Sequence, residues 1–220
     1  SGEGGDELHA GYDTHSAFRV RRWFRRVPGL LRQGVIAPLV NLLPVSHRKL
    51  SFEFKAKRFL RGVGRGTPES HCFWREVLSE DARAELYSTP EKFLRFPATE
   101  QIFRNLYDAS AARDPLDRLL EIDRCLFLPD DLMVKNDRMT MAHSLEARVP
   151  FTDMALVRFL VGIPATFKFE GRRGKRLLRR GLAGRLPAAI LDRKKVGLEM
   201  PYSRWLTDEL KELAGDTLLG

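Results

Sequence analysis

The segment LPDDLMVKNDRMTMAHSLEARVPF, from Leu128 to Phe151, indicates both the fold class of this chain and the kind of residue on which its function depends. Pro129 is followed by two acids, which the helix dipole favours in a first turn, so the pattern predicts a helix over Asp130–Ser144. Helical spacing places Asp137 and Arg138 on an otherwise apolar face with methionines. Because an unpaired buried charge is strongly unfavourable, we expect both side chains to be paired or to contact a ligand.

The end of the same segment alternates charged and apolar residues. Glu146 and Arg148 are separated by one alanine, so their side chains can share a face. This spacing favours a structural ion pair, with contact to a substrate as the alternative. His143 lies nearby, but no second ligand stands at a useful spacing, so we expect no metal role for it.

The segments on either side of this one also predict helices. Runs of alternating Val, Ile and Thr are few, so little strand is expected and the fold class is mostly α. Thr67 is predicted as an N-cap because Pro68 suits a first helical position. Further helical segments are predicted over Asp6–Tyr12, His15–Arg26, Leu30–Leu43, His47–Val63, Thr67–Leu78, Ser79–Ser88, Thr99–Ala109, Asp114–Phe127, Thr152–Gly162, Lys175–Arg185, Pro187–Asp192 and Tyr202–Ala214.

The composition is that of a globular protein. The chain has 220 residues, with 38 Lys and Arg against 29 Asp and Glu, a net charge of +9. This length supports a core without disulfides, and Cys72 and Cys125 are too isolated for a zinc site. No apolar run approaches the roughly 20 residues of a membrane span, and no charged and apolar leader pattern opens the sequence, so we expect neither a membrane span nor a secretory signal. We therefore expect a cytoplasmic protein.

The opening residues SGEGGDE form a glycine-rich segment with three acids. Gly2, Gly4 and Gly5 can turn successive N–H groups toward one point, which attracts an anion, whereas Glu3 and Asp6 would repel a bare phosphate. Mg²⁺ bound to a polyphosphate, or an amine substrate, would allow the N–H groups and the carboxylates to contact the same ligand. The alternative is that these residues only cap the start of a helix. Because the chain begins inside this segment, we expect further sequence before it.

Two basic segments complete the set of candidate sites. Lys194 and Lys195 precede a glycine in a predicted loop, where a lysine can stabilise phosphate charge or be merely solvated. Five arginines interleave with aromatic residues between Phe18 and Arg26. That run suits nucleic acid or an anionic membrane, but an amphipathic helix with inward aromatics is the favoured interpretation.

These segments together resemble one enzyme family. SGEGGDELHAGY, from Ser1 to Tyr12, resembles the SGEGxDELFxGY segment of glutamine-dependent asparagine synthetases. The stretch from Leu128 to Asp153, which ends in SLEARVPFTD, resembles a second segment of that family, and RKKVG, from Arg193 to Gly197, resembles its RxKxGF loop. Gly174 and Lys175 are similar to the start of the helix before that loop. His9 stands where the family pattern has an aromatic residue.

The resemblance implies a fold and an activity. It implies that residues 1–220 are the helical carboxy-terminal part of an α/β ATP-pyrophosphatase domain of the adenine nucleotide alpha hydrolase type. Such enzymes use Mg²⁺ and ATP to convert aspartate to β-aspartyl-AMP, which ammonia from glutamine converts to asparagine and AMP. The glutaminase domain and the SGGxDS pyrophosphate loop of the family are not in this sequence. We therefore expect this piece alone to be inactive, and a homodimer is possible for the parent.

The resemblance also implies roles for individual residues. Glu3 would orient or deprotonate ammonia, and Lys195 would stabilise the charge on the phosphates of ATP. The glycine-rich turn that carries Glu3 and the loop that carries Lys195 would then approach the same triphosphate. Asp131, one residue out of register, would assist Glu3. No metal ligand is expected in this chain. Residues expected to line the nucleotide and acyl-adenylate pocket are Ser1, Gly2, Gly4, Gly5 and Asp6.

Other functions are compatible with the same residues. A β-lactam synthetase, a peptide cyclase or a polysaccharide-modifying amidotransferase would share the adenylation chemistry. The β-lactam synthetases resemble one another in having a Tyr at the position that matches Glu3. The acid at this position therefore favours ammonia as the nucleophile. The alternative from another class is a basic helical module that binds nucleic acid, whereas the asparagine synthetase interpretation predicts neither a nucleic-acid nor a membrane partner.

Overall fold

The computed structural model describes residues 1–44, 51–89, 98–171, 173–193 and 202–219. These residues are mostly helical and contain no strand, only two isolated β-bridges, Glu170 with Arg173 and Ala183 with Leu186. The prediction of a mostly α chain is therefore confirmed. None of the helices described is long and apolar enough to cross a bilayer.

Within the described ranges the chain runs through a series of short helices. In chain order they are α1 (Asp13–Phe24), α2 (Gly29–Leu31), a π-helix (Arg32–Ile36), α3 (Ala37–Asn41), α4 (Phe52–Val63), α5 (Thr67–Arg75), α6 (Glu80–Leu86), α7 (Thr99–Ala109), α8 (Pro115–Ile122), a second π-helix (Asp123–Met133), α9 (Val134–Met141), a 3-10 turn (Pro150–Thr152), α10 (Met154–Val161), α11 (Ala165–Lys168), α12 (Arg176–Gly181), α13 (Ala188–Leu191), α14 (Tyr202–Thr207) and α15 (Lys211–Leu219).

The chain forms two compact units. The first comprises Ser1–Arg26 and Gly62–Leu191, and the second comprises Val27–Arg61 and Asp192–Gly220. In the first unit, α5 packs along α7 and α7 along α8. In the second, Lys57 pairs with Glu53 at 2.7 Å and donates to the Leu43 carbonyl at 3.0 Å.

The core of the first unit is built on α8. Leu119 and Leu120 are buried, and truncation of such a leucine to alanine costs about 2–5 kcal/mol. Phe18 of α1 packs against the same core. The core cluster consists of Ala10, Leu116, Leu120, Ala165 and Phe169. The opening segment is taken from here on as Ser1–Tyr12. Since Ala10 belongs to the core cluster, this segment is anchored to the body of the unit.

Two helix starts follow directly from sequence. The Asp114 carboxylate accepts from the Leu116 N–H at 2.7 Å, with Pro115 in the first turn. The Asp153 carboxylate accepts from the N–H groups of Ala155 and Leu156 at 3.0 and 3.1 Å. Both are side-chain caps of the kind that short polar residues provide.

Three local predictions are wrong. The segment Asp6–Tyr12 forms turns and not a helix, because Ala10 adopts a left-handed conformation with φ 56°. Pro129 does not open a helix but lies inside the second π-helix, where its missing N–H removes one bond from the ladder without ending the helix. Thr67 is not the N-cap, since Gly66 occupies that position and the Thr67 hydroxyl accepts from Arg21 at 3.3 Å.

Candidate functional site

The opening glycine-rich segment lies against the end of the LPDD…VPF segment. Gly4 has φ 86°, and a Cβ on it would lie 3.2 Å from Phe151 Cβ and 3.2 Å from Thr152 Cγ2. The Leu8 N–H donates to the Gly4 carbonyl at 3.0 Å. A larger residue at Gly4 would therefore strain the backbone and push the segment away from Phe151.

A main-chain hydrogen bond joins the same two segments. The main-chain nitrogen of Ser1 donates to the Arg148 carbonyl oxygen at 2.6 Å. The Ser1 hydroxyl donates to the Glu3 carboxylate. Residues 147 positions apart in sequence are thus adjacent in the structure, and Glu3 stands at the meeting point of the two segments.

The Gly174–Lys175 pair contacts the opposite end of the opening segment. The Lys175 N–H donates to the His9 carbonyl at 2.8 Å, and Lys175 Nζ lies 3.0 Å from Asp6 Oδ1. A Cβ on Gly174 would overlap the Ala10 carbonyl oxygen, so the approach requires glycine. The ion pair with Lys175 neutralises one of the acids that would otherwise repel a phosphate.

A buried cluster of charges lies behind the opening segment. Asp123 accepts from His15 Nε2 at 2.6 Å, from His71 Nε2 at 2.8 Å and from Arg75 Nη2 at 2.5 Å. Burial alone would raise the pKa of the Asp123 carboxyl, but His71, the hydrogen bond from His15 and the Arg75 charge together hold that pKa well below its usual range. Asp123 is therefore ionised and fully satisfied.

This cluster supports Tyr12, the last residue of the opening segment. The Tyr12 N–H donates to His15 Nδ1 at 3.4 Å, and the Arg75 guanidinium lies 4.1 Å from the Tyr12 ring centroid. The Tyr12 hydroxyl donates to Glu7. Burial lowers the pKa of His15 and so favours its neutral ring. A neutral ring is needed because Nδ1 accepts from the Tyr12 N–H while Nε2 donates to Asp123.

The cluster is built as a hydrogen-bond network. His15, His71 and Asp123 are the kinds of residue that bind metals, and their ligand atoms lie within 4.8 Å of one another. However, both histidines already bond directly to the carboxylate, and Arg75 shares it. A cation at this point would have to displace these bonds and would face the guanidinium.

The comparisons with known proteins identify the family. The sequence model of the family described as asparagine synthase matches residues 1–219. The chain belongs to the asparagine synthase family. Its relatives include a putative glutamine-hydrolyzing asparagine synthetase of Mycobacterium bovis, 34% identical over 221 residues that cover 99% of this chain and 32% of the relative. Asparagine synthetase [glutamine-hydrolyzing] 1 of Bacillus subtilis is 26% identical over 212 residues, 96% of this chain and 32% of the relative.

The match covers nearly all of this chain but only part of each relative. The chain spans about a third of the length of the asparagine synthetases it matches. No solved structure shows a significant match. The family assignment therefore rests on sequence, and the contacts among the motif segments come from the structure of this chain.

His9 replaces the aromatic residue of the asparagine synthetase pattern. Its ring packs edge-on against Phe151, with centroids 6.0 Å apart, so it substitutes for an aromatic side chain in packing. Neither ring nitrogen has a hydrogen-bond partner within the described residues. Burial, followed by the charges of Lys168 and Lys175, lowers the pKa of His9 to about 4. His9 is therefore neutral at physiological pH.

Asp131, Asp137 and Arg138 were also predicted as site residues, but none of them forms a described contact with the residues around Glu3. Asp131 pairs with Lys135 at 3.2 Å, and no hydrogen bond or ion pair connects it to Glu3 in the described part of the chain. The expectation that Asp137 and Arg138 lie on a buried apolar face is wrong. Both are exposed, because α9 buries no residue at all and its apolar side chains face outward as well.

Two further pairs of charged residues were predicted as candidate site residues, and the structure describes one of them. Glu146 and Arg148 form an ion pair at 3.0 Å. Their side chains are 69% and 83% exposed, so the pair contributes about 0–1 kcal/mol to stability. Lys194 and Lys195 lie outside the described residues. The expectation that Glu3 and Lys195 approach one triphosphate therefore stays a prediction.

The residues of the buried cluster were not predicted from the sequence. His71 and Arg75 are four residues apart on α5, and His15 follows Tyr12 by three residues. Helical spacing could have paired His71 with Arg75. Nothing in the sequence, however, pointed to Asp123 as their common partner, because it lies 52 positions from His71 and 108 from His15.

Proposed function

We propose that this chain is part of an ATP-dependent ligase that converts aspartate to asparagine with ammonia derived from glutamine. The proposal rests first on family membership and second on the Ser1–Arg148 hydrogen bond, which brings two of the motif segments together around Glu3. We infer that residues 1–220 are the helical part of an ATP-pyrophosphatase domain, and that the strands of its sheet are supplied by sequence outside this chain.

The reaction has two steps. A β-carboxylate oxygen of aspartate attacks the α-phosphorus of ATP, and the bond to the β-phosphate breaks to release pyrophosphate. Ammonia then attacks the acyl carbon, loses a proton, and AMP leaves with the electrons of the carbon–oxygen bond. The first step develops negative charge on phosphate oxygens, and the second needs a positioned, deprotonated amine.

The opening segment is suited to the second step. The Glu3 carboxylate accepts the Ser1 hydroxyl and is half-buried, so we infer that it orients ammonia and takes up its proton. Asp6 is paired with Lys175, and the buried Glu7 carboxylate accepts from the Tyr12 hydroxyl. Glu3 is therefore the partly exposed acid of this segment that pairs with no cation among the described residues. Ser1, Gly2, Gly4 and Gly5 would line the acyl-adenylate pocket beside it, with Asp6 at its edge.

Lys195 is proposed for the first step. A lysine supplies a compact positive charge that can follow the phosphates as pyrophosphate departs. Mg²⁺ would supply charge neutralisation on the triphosphate when bound. Because the opening segment offers a metal little beyond Glu3, we infer that Mg²⁺ arrives on ATP and is held mainly by residues outside this chain.

The test uses the full-length protein and three assays. Lys195→Ala is expected to abolish ATP-dependent pyrophosphate release while glutamine hydrolysis continues. Lys194→Ala, which removes the neighbouring charge, is the matched control and is expected to keep pyrophosphate release within a few-fold of the parent. Unchanged pyrophosphate release in Lys195→Ala would remove Lys195 from its role. Replacement of aspartate by other carboxylates in the same assay identifies the acceptor.

A further inference from the structure

A basic cavity lies in the first unit, away from the residues of the family motifs. Its volume is about 700 Å³, which is the size range of small-molecule sites. Phe18 contributes an apolar wall from α1, and the start of α8 contributes another side. Four of the eight lining residues are arginines: Arg21, Arg22, Arg25 and Arg113.

The charge of this cavity is not balanced by the protein. Asp114 is the acid among the lining residues, and its carboxylate caps α8 by accepting from the Leu116 N–H. Arg22, Arg25 and Arg113 are exposed, and within the described ranges no carboxylate pairs with any of them. Like charges brought together without counter-charges repel, so this group of arginines destabilises the folded state.

Arg21 forms the buried side of the cavity. It is 4% exposed and donates to the Val63 carbonyl at 3.2 Å, the Arg65 carbonyl at 2.5 Å and the Thr67 hydroxyl at 3.3 Å. All three acceptors are neutral. Burial, and then the charge of Arg25, lowers the pKa of Arg21, which means that this charge gains from a nearby anion.

The arginine run does not present a continuous cationic stripe. The Arg19 guanidinium lies 4.7 Å from the Phe169 ring centroid, and the Arg26 guanidinium lies 4.5 Å from that of Trp23. The other three arginines of the run line the cavity. A stripe suits the phosphate backbone of a nucleic acid, whereas charge gathered at one cavity suits a compact anion.

We propose that this cavity binds a small anion bearing phosphate groups, contacted by the guanidinium groups of Arg22, Arg25 and Arg113. Guanidinium groups bind phosphate oxygens through paired N–H donors, and one phosphate can accept from several of them. The N-terminus of α8 adds a partial positive charge on the same side. None of the lining residues belongs to the motif segments, so the proposal goes beyond the ligase activity and does not depend on it.

The test measures binding of inorganic tripolyphosphate to the full-length protein by calorimetry. In the double variant Arg22→Gln/Arg25→Gln, the dissociation constant is expected to rise at least about tenfold, because charge-assisted hydrogen bonds are lost. Arg26→Gln removes the same charge from the same arginine run but not from the cavity lining, and it is expected to stay within twofold of the parent. Arg113→Gln, which lies outside the helix, provides a second variant in case the double variant is misfolded.

Three results would overturn the proposal. One is equal weakening by Arg26→Gln and by the cavity variants, which would mean that overall charge governs binding. Another is unchanged tripolyphosphate binding in both the double variant and Arg113→Gln. The third is tighter, cavity-dependent binding of a single-stranded oligonucleotide than of tripolyphosphate, which would assign the arginines to nucleic acid.

Discussion

His15 Nε2 lies 2.6 Å from Asp123 Oδ2, and both side chains are fully buried. The other ring nitrogen of His15 accepts from the Tyr12 N–H, at the end of the segment that carries Glu3. One buried carboxylate thus fixes the orientation of a histidine, which in turn fixes the backbone of the candidate site. The stability of the cluster and the geometry of the site are therefore coupled.

Asp123→Asn is expected to destabilise the first unit by about 3–5 kcal/mol, because it leaves the largely buried Arg75 guanidinium without its anion. Thermal or urea unfolding of the full-length protein measures this. Asp131→Asn is the matched control, since Asp131 lies on the same π-helix but is exposed and paired only with Lys135. A melting temperature of Asp123→Asn equal to that of Asp131→Asn would refute the role of the cluster.

His9→Phe is expected to stabilise the protein, by about 1–3 kcal/mol, because it removes two buried nitrogens without partners and keeps the ring against Phe151. The effect grows in acid. Since the pKa of His9 falls from 6.5 to about 4 on folding, the unfolded chain binds more protons between these values, and the parent loses stability as pH drops through that range.

The measurement for His9 is the melting temperature of parent and variant between pH 7.5 and pH 4.5. His143→Phe is the control, because His143 is exposed. The gap between His9→Phe and the parent should widen steadily below pH 6.5, while His143→Phe follows the parent. Parallel curves for all three proteins would show that His9 is not held neutral by burial.

Gly174→Ala is expected to displace Lys175 from the opening segment, since the added Cβ overlaps the Ala10 carbonyl oxygen. We expect loss of both stability and asparagine formation. Gly181→Ala, at the end of α12, meets no atom within 4 Å and is expected to be neutral or to stabilise by up to about 1 kcal/mol. Comparable activity of the two variants would show that the Lys175 contact is dispensable.

Sequence predicted the elements whose causes are local. The helix Thr99–Ala109 has the predicted bounds, and the helices predicted from Asp114 and from Thr152 begin within two residues of those positions, where Asp114 and Asp153 cap them. The turn at Ala10 and the π-helix around Pro129 were not predicted. Each is fixed by packing or by a wider hydrogen-bond register that short-range patterns do not encode.

The residues of the candidate site that lie in family motifs were predictable from the sequence, and the buried residues that support them were not. The motif resemblance named Ser1, Glu3 and the segment around Arg148, and the structure places Ser1 against Arg148. The His15–Asp123 contact joins residues 108 positions apart, and no spacing rule reaches that far. Asp137 could not be placed correctly either, because helical periodicity gives a face but not what covers it.

The central claim is that Glu3 serves the attack of ammonia, and Glu3→Gln in the full-length protein tests it most directly. With aspartate, ATP and ammonia as substrates, pyrophosphate release and asparagine formation are measured in the same reaction. Asparagine formation is expected to fall by about 100-fold or more, as removal of a general base usually causes, while pyrophosphate release stays within a few-fold of the parent. Asparagine formation at the parent rate, or an equal loss of both products, would contradict the account.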